Sequence, residues 1–389
     1  MDYKKYFSAD TGSFMRSPVR EIFRKVDLSQ IYSFAGGYPS AETFPLETIE
    51  RLSAEVLRKY GSKALQYGAT QGVTELREAI SKRYDVPVGN IQITTSSQQG
   101  IDVCTRVLVD PGDVILTTNP TYLGALQSFK SYRAEVVGVD MAQSFEAAKA
   151  RERQLADLLA EGRKIKFFYA IPDFQNPSGQ TMTLAQRSEL AALARKYDFL
   201  IVEDSPYREL RYEGEPVATI YSLAPERTLH LGSFSKIMAP GFRLGWVIGA
   251  PELLDQIYVC KQALDLCPPI MDQYMAAEFM AGGELDKNLA HTIELYRSKR
   301  DYLLGLLEKY MPAGVSWTHP EGGLFLFVTL PDDIDTVALY ERALAAGVAY
   351  VAGSFFYVDG SHRNTMRLNF SFLDKERMEP GIKLLASLL

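Results

Sequence analysis

Between residues 90 and 250 the chain alternates two patterns. Short runs of apolar and β-branched residues fall at Ile91–Thr95, Val114–Thr117, Ala134–Val139, Lys166–Ile171, Phe199–Glu203, Thr228–Ser233 and Leu244–Ile248, with longer stretches of helical spacing between them. Seven strand-length runs separated by helices predict one α/β sheet. Thr183-Leu184-Ala185-Gln186 has the form of a capping box and opens a helix to Tyr197, while Asp110-Pro111-Gly112-Asp113 makes a turn after a helix that begins near Gln98. After Pro268-Pro269 the pattern changes to long helical stretches, Ile270–Ala281 and Glu284–Tyr310. A smaller α+β region follows, with strands near Leu324–Val328, Val348–Val351 and Met366–Phe370. Such a change predicts a second domain. The first 45 residues or so have no core pattern of their own, and the turn at Gly36-Gly37-Tyr38-Pro39 suits a segment that folds against something else. The expected division is an N-terminal segment at 1–45 packing with the small domain, a large domain at 46–275 and a small domain at 276–389.

Composition narrows the class. At 389 residues the chain exceeds one ordinary domain, and 47% hydrophobic with 23% charged residues is the balance of a globular protein with ample core. The 42 basic and 48 acidic residues leave a net charge of -6, and the basic ones are scattered. That argues against nucleic acid or an anionic membrane as partner. No apolar run approaches the roughly 20 residues that span a bilayer. Met1-Asp2-Tyr3-Lys4-Lys5-Tyr6 lacks the apolar core of a signal peptide, so a cytoplasmic location is expected. The three cysteines and four histidines are dispersed, which predicts reduced thiols and no metal site.

Chemistry is concentrated where strands end. Ser233-Phe234-Ser235-Lys236 follows the strand Thr228-Leu229-His230-Leu231-Gly232, so Lys236 should sit on a loop leaving a sheet edge, where open α/β sheets bind ligands, with Arg243 seven residues on. Asp204-Ser205-Pro206-Tyr207 follows the apolar strand Phe199–Glu203; its acid serves equally well to cap a turn. Asp173-Phe174-Gln175-Asn176-Pro177-Ser178-Gly179 holds an ordinary turn sequence, as does Asn119-Pro120-Thr121-Tyr122. Ser96-Ser97-Gln98-Gln99-Gly100 is a strand-to-helix junction, suited either to a phosphate or to a simple N-cap. In Met366-Arg367-Leu368-Asn369-Phe370, an arginine within an apolar strand calls for an anion.

Taken together and in this order, from about Arg20 to the C-terminus, these segments resemble the pyridoxal 5'-phosphate enzymes of fold type I. Within them the closest resemblance is to the class I/II aminotransferases of the 2-aminoadipate and kynurenine aminotransferase branch. The resemblance implies a large domain with a seven-stranded, mostly parallel sheet, a smaller α+β domain, and a homodimer with shared active sites. It implies a ping-pong exchange between an amino acid, dicarboxylic or aromatic, and a 2-oxo acid. Carried over residue by residue, Lys236 would form the covalent aldimine with pyridoxal phosphate and then move the proton. Asp204 would sit against the pyridine nitrogen, Tyr207 and Asn176 against the phenolic oxygen, and Tyr122 on the ring face. Ser97, the Gln98 N–H, Ser233, Ser235 and Arg243 would hold the phosphate, joined by Tyr67 of the neighbouring subunit. Arg367 would clamp the substrate carboxylate; Gly37 would lie on a closing loop, and Arg20 would read an acidic substrate side chain. A carbon–sulfur lyase on the same scaffold keeps Lys236, Asp204 and Tyr207, but the segments at Asn119–Tyr122 and Asp173–Gly179 favour the transferase. A non-enzymatic effector-binding regulator would need an N-terminal DNA-binding region, of which no pattern is present.

Overall fold

The computed structural model describes residues 1–8, 11–12 and 30–389. Its strands are β1 (Tyr32–Ser33), β2 (Ile91–Thr94), β3 (Val114–Thr118), β4 (Glu135–Val139), β5 (Ile165–Ala170), β6 (Leu200–Asp204), β7 (Thr228–Ser233), β8 (Gly245–Ile248), β9 (Ser316–Trp317), β10 (Phe325–Thr329), β11 (Val348–Ala349), β12 (Val351–Ala352) and β13 (Thr365–Asn369). Seven of them form one sheet in the order β2-β8-β7-β6-β5-β3-β4. Its inner strands are buried on both faces, which is why they read as continuous apolar runs rather than alternating ones.

Pairing is parallel from β4 through β3, β5 and β6 to β7, and antiparallel on both sides of β8. Two antiparallel steps restore the original direction, so β2 also points the same way as β7. The carboxyl ends of β2, β3, β5, β6 and β7 therefore lie along one side of the sheet. Each delivers one of the segments singled out above to that side, the arrangement by which open α/β sheets bind ligands. The lysine loop leaves the end of an internal strand, third from the β2 side, and not an outer strand of the sheet.

A second sheet, β12-β13-β10-β9, is antiparallel throughout and places Arg367 opposite Phe327. The run expected as one strand at Val348–Val351 is divided at Tyr350, a buried residue whose hydroxyl donates to the Thr336 carbonyl at 2.7 Å. Its halves pair with different partners: β11 lies parallel to β1, and β12 lies against β13. β1 and β11 form a small sheet of their own, and bonds from Asn369 N–H to the Phe34 carbonyl and from Ser371 Oγ to the Tyr38 carbonyl attach the N-terminal segment to the end of β13. The helix Glu284–Tyr310 runs about 40 Å. It grips the next stretch, Tyr296 accepting from Ser40 N–H at 2.9 Å and Lys299 reaching Glu42 at 3.0 Å. Among the described residues no helix is long and apolar enough to cross a membrane.

Candidate active site

The end of β2 passes at once into the helix Ser96–Leu108, with Ser96 at φ 68°. A left-handed backbone at a buried serine is strained, and such strain collects at functional turns. A Cβ built on Gly245 would stand 2.7 Å from Ser97 N and from the Gly232 carbonyl, so only glycine lets β8 run this close to the helix start. That packing brings the first turn of the helix, with its unpaired N–H groups at Ser97 and Gln98, beside the end of β7. Asp265 fastens the junction, accepting from Thr95 Oγ at 2.9 Å and from Gln99 Nε2 at 2.6 Å, with buried Lys261 as counter-charge at 2.9 Å. Ser233 Oγ accepts from Ser235 N–H at 3.1 Å and keeps its own proton to donate; Ser235 Oγ is buried without a partner among the described residues. Arg243, at φ 51°, has its guanidinium 3.5 Å from the Pro240 carbonyl.

In the middle of this side stands Asp204, 2% exposed at the end of β6. Its Oδ2 accepts from the Tyr169 hydroxyl at 2.6 Å, whereas Oδ1 is buried with no partner among the described residues. Burial pushes the carboxyl up to about 6, against the pull of the Tyr169 hydrogen bond and of His230. Asn176 joins the second sheet to this side: its Oδ1 accepts from Arg367 Nη1 at 2.7 Å, and its amide pulls the Tyr207 phenol slightly down. Burial raises the Tyr207 phenol well above its ordinary range, keeping it protonated. Tyr122 donates to Gln98 Oε1 at 3.2 Å and lays its ring over Gly124, where a Cβ would come within 2.5 Å of it.

The Lys236 amine donates to the Gly37 carbonyl at 2.8 Å, so the lysine loop and the N-terminal segment meet. Enclosure of that amine, then the charges of Arg367 and Arg243, pull it down to about 8. Arg367 is 4% exposed and donates through Nη2 to the Ala35 carbonyl at 2.6 Å, and its Nε has no partner among the described residues. The guanidinium lies 4.2 Å from the Phe325 ring centre and 5.1 Å from that of Phe356. Burial lowers it to about 10, so it stays charged near neutral pH.

Twelve of the candidate residues thus fall on one side of the main sheet and around Arg367. Tyr67 does not join them; it is 79% exposed beyond the helix Leu46–Tyr60. Arg20 lies outside the described residues. Two residues of consequence were not singled out from the sequence. One is Tyr169, the partner of Asp204. The other is Arg187, fully buried, which pairs with Asp173 at 2.7 Å and also donates to the Pro172 and Met182 carbonyls at 3.0 Å. Asp173 is therefore the structural anchor of the loop that carries Asn176.

The family model for class I and II aminotransferases matches residues 35–385. The chain is 46% identical to aromatic-amino-acid aminotransferase 1 of Thermococcus litoralis, over 99% of this chain and 94% of that one. It is 32% identical to the 2-aminoadipate transaminase of Thermus thermophilus, over 100% and 98%. A solved structure of Pyrococcus horikoshii kynurenine aminotransferase, in complex with pyridoxamine phosphate (PMP) and with kynurenine, superposes with a TM-score of 0.94 at 43% identity, covering 100% of this chain and 97% of that chain. The protein belongs to the class I and II aminotransferases, enzymes that transfer amino groups between amino acids and oxo acids with pyridoxal phosphate as cofactor.

Proposed function

We propose that Lys236 anchors the cofactor and moves the proton, that Asp204 faces its ring nitrogen, and that Arg367 receives the substrate carboxylate. The observation that carries this reading is the unpartnered Oδ1 of Asp204, a buried acceptor that calls for a donor. It is supported by three further fits: the bare helix start beside Gly245, the unpartnered Ser235 hydroxyl, and an amine at Lys236 lowered toward neutrality. Pyridoxal phosphate, when bound, supplies an aldehyde to carry the amino group and a ring to accept the electron pair released at the substrate Cα.

The chain's own residues do the rest. The helix start at Ser97 and Gln98, with Ser233, Ser235 and Arg243, gathers N–H, O–H and guanidinium donors for a phosphate. Ionised Asp204 holds a proton on the ring nitrogen and so sustains its pull on electrons. Asn176 and Tyr207 would supply donors at the phenolic oxygen, and Tyr122 would pack against the ring. Arg367 fixes the substrate by a two-point grip on its carboxylate, which aims the Cα–H bond at Lys236. With an amine at about 8, a useful fraction of Lys236 is neutral near neutral pH and able to take that proton.

For the donor, we infer an aromatic amino acid first and a dicarboxylic one second. The order follows the higher identity to the Thermococcus litoralis protein, together with the Phe325 and Phe356 rings beside Arg367. Mixing the cofactor-loaded protein with phenylalanine, tyrosine, glutamate or 2-aminoadipate, without acceptor, should convert the visible band to that of the pyridoxamine form, fastest with the aromatic donors. No conversion with any of them, or release of pyruvate and ammonia from cysteine instead, would contradict the assignment.

We also propose a homodimer of shared sites in the cytoplasm. Its supports are a tyrosine exposed at position 67, where the family resemblance places a residue reaching into the neighbouring subunit, and the free state of all three cysteines. Mixing inactive Lys236→Ala with Tyr67→Phe protein should restore activity above the sum of the two, since one site of each mixed dimer is then intact. No gain on subunit exchange would count against sharing.

A further inference from the structure

Tyr169 lies on β5 opposite Val202 of β6. Asp204 is two residues beyond Val202, hence on the same face of that strand. A tyrosine is long enough to reach along the strand to it, and the 2.6 Å bond from its hydroxyl to Oδ2 is the one hydrogen bond to this carboxylate among the described residues. The ring itself is fully buried and sits edge-on to Phe129 at 5.4 Å, so the hydroxyl has a fixed approach. We propose that Tyr169 is a positioning residue for the reaction: by engaging Oδ2 it turns the carboxylate of Asp204 so that Oδ1 alone faces the cofactor ring nitrogen, and it favours the charged form that holds a proton there.

This rests on the placing of Asp204 against the ring nitrogen. Burial and the charge on Asp204 both raise the Tyr169 phenol far above its ordinary range, so it acts as a donor at every working pH. The other titratable groups whose charges couple to Asp204 are His230 on β7, Cys104 on the helix Ser96–Leu108 and Tyr207 on the segment after β6. None of them bonds either oxygen. Losing the Tyr169 hydroxyl therefore leaves a buried carboxylate with no donor at all and free to rotate. Two consequences follow, a weaker grip on a protonated pyridine ring and a carboxyl that holds its own proton to higher pH.

The test uses the apoprotein and pyridoxamine 5'-phosphate as probe. Tyr169→Phe removes the hydroxyl and keeps the ring. It should raise the dissociation constant of the probe roughly tenfold or more, and move the Asp204 midpoint, followed by carboxyl carbon NMR, above that of the wild-type protein. In an Asp204→Asn background the same substitution should change affinity by less than about twofold. An equal loss in both backgrounds would mark Tyr169 as ordinary packing and overturn the proposal. So would wild-type affinity and an unmoved midpoint in Tyr169→Phe while Asp204→Asn alone binds poorly. If Asp204→Asn itself binds as tightly as wild type, the ring-nitrogen assignment fails, and this proposal fails with it.

Discussion

The side-chain oxygen of Asn176 accepts a 2.7 Å hydrogen bond from Nη1 of Arg367, across 191 positions of sequence. It ties the loop after β5 of the main sheet to β13 of the second sheet, at the point where a carboxylate and a cofactor oxygen would both arrive. Ala35, on the N-terminal segment, takes the other terminal amino group. Two separate parts of the chain thus preorient a guanidinium carried by a third.

Because both terminal amino groups are already aimed, the planar fork matters more than the charge. Arg367→Lys keeps the charge and loses the fork. Two charge-assisted hydrogen bonds reduced to one should lower kcat/KM by roughly 10- to 100-fold for every amino donor, aromatic and dicarboxylic alike. Steady-state kinetics over a donor panel checks this. A loss confined to one class of donor would move Arg367 from the α-carboxylate to a side-chain subsite.

Arg187 is expected to be worth more to stability than an arginine on a helix usually is. Its side chain is fully buried, pairs with Asp173 and satisfies the Pro172 and Met182 carbonyls. Removing it leaves Asp173 to the partly exposed Arg208 at 3.1 Å and to Arg211 at 3.9 Å. Arg187→Ala should cost about 3–5 kcal/mol in chemical denaturation of the apoprotein. Arg195→Ala, on the exposed face of the same helix, should change stability by less than about 1 kcal/mol.

The lowered amine of Lys236 has a stability consequence with a definite sign. A part-buried lysine whose amine is pulled down from 10.5 to about 8 on folding penalises the folded state at lower pH, and the penalty is relieved as pH rises from about 8 toward 10.5. Lys236→Met should therefore raise the melting temperature of the apoprotein at pH 7, with the advantage over wild type shrinking by pH 9.5. A constant gap across that range would mean that the amine is not held below its ordinary value.

Most of the architecture is legible in the sequence because it depends on local pattern. The expected strand at Lys166–Ile171 is found at Ile165–Ala170, the one at Thr228–Ser233 without change, and the capping box at Thr183 and Gln186 is present with both of its bonds. The residues at the strand ends stand out for a related reason: polar groups that terminate apolar runs need partners. Tyr169 does not stand out, since a tyrosine within an apolar strand looks like core until the register beside β6 is known. Arg187 and Arg195 are indistinguishable as helix cations, and only packing separates the buried one from the exposed one. The division at Tyr350 is hidden for another reason. The run Val348–Val351 is uniformly apolar, and its two pairing partners, β1 and β13, lie more than 300 residues and about 15 residues away respectively.

The central claim, that Lys236 carries the cofactor, is tested most directly by reducing the loaded protein with borohydride, digesting it and locating the phosphopyridoxyl group by mass spectrometry. A single modified lysine, Lys236, is expected, with no modification in Lys236→Ala. A label on any other lysine of the wild-type protein, or one that survives in Lys236→Ala, would contradict it.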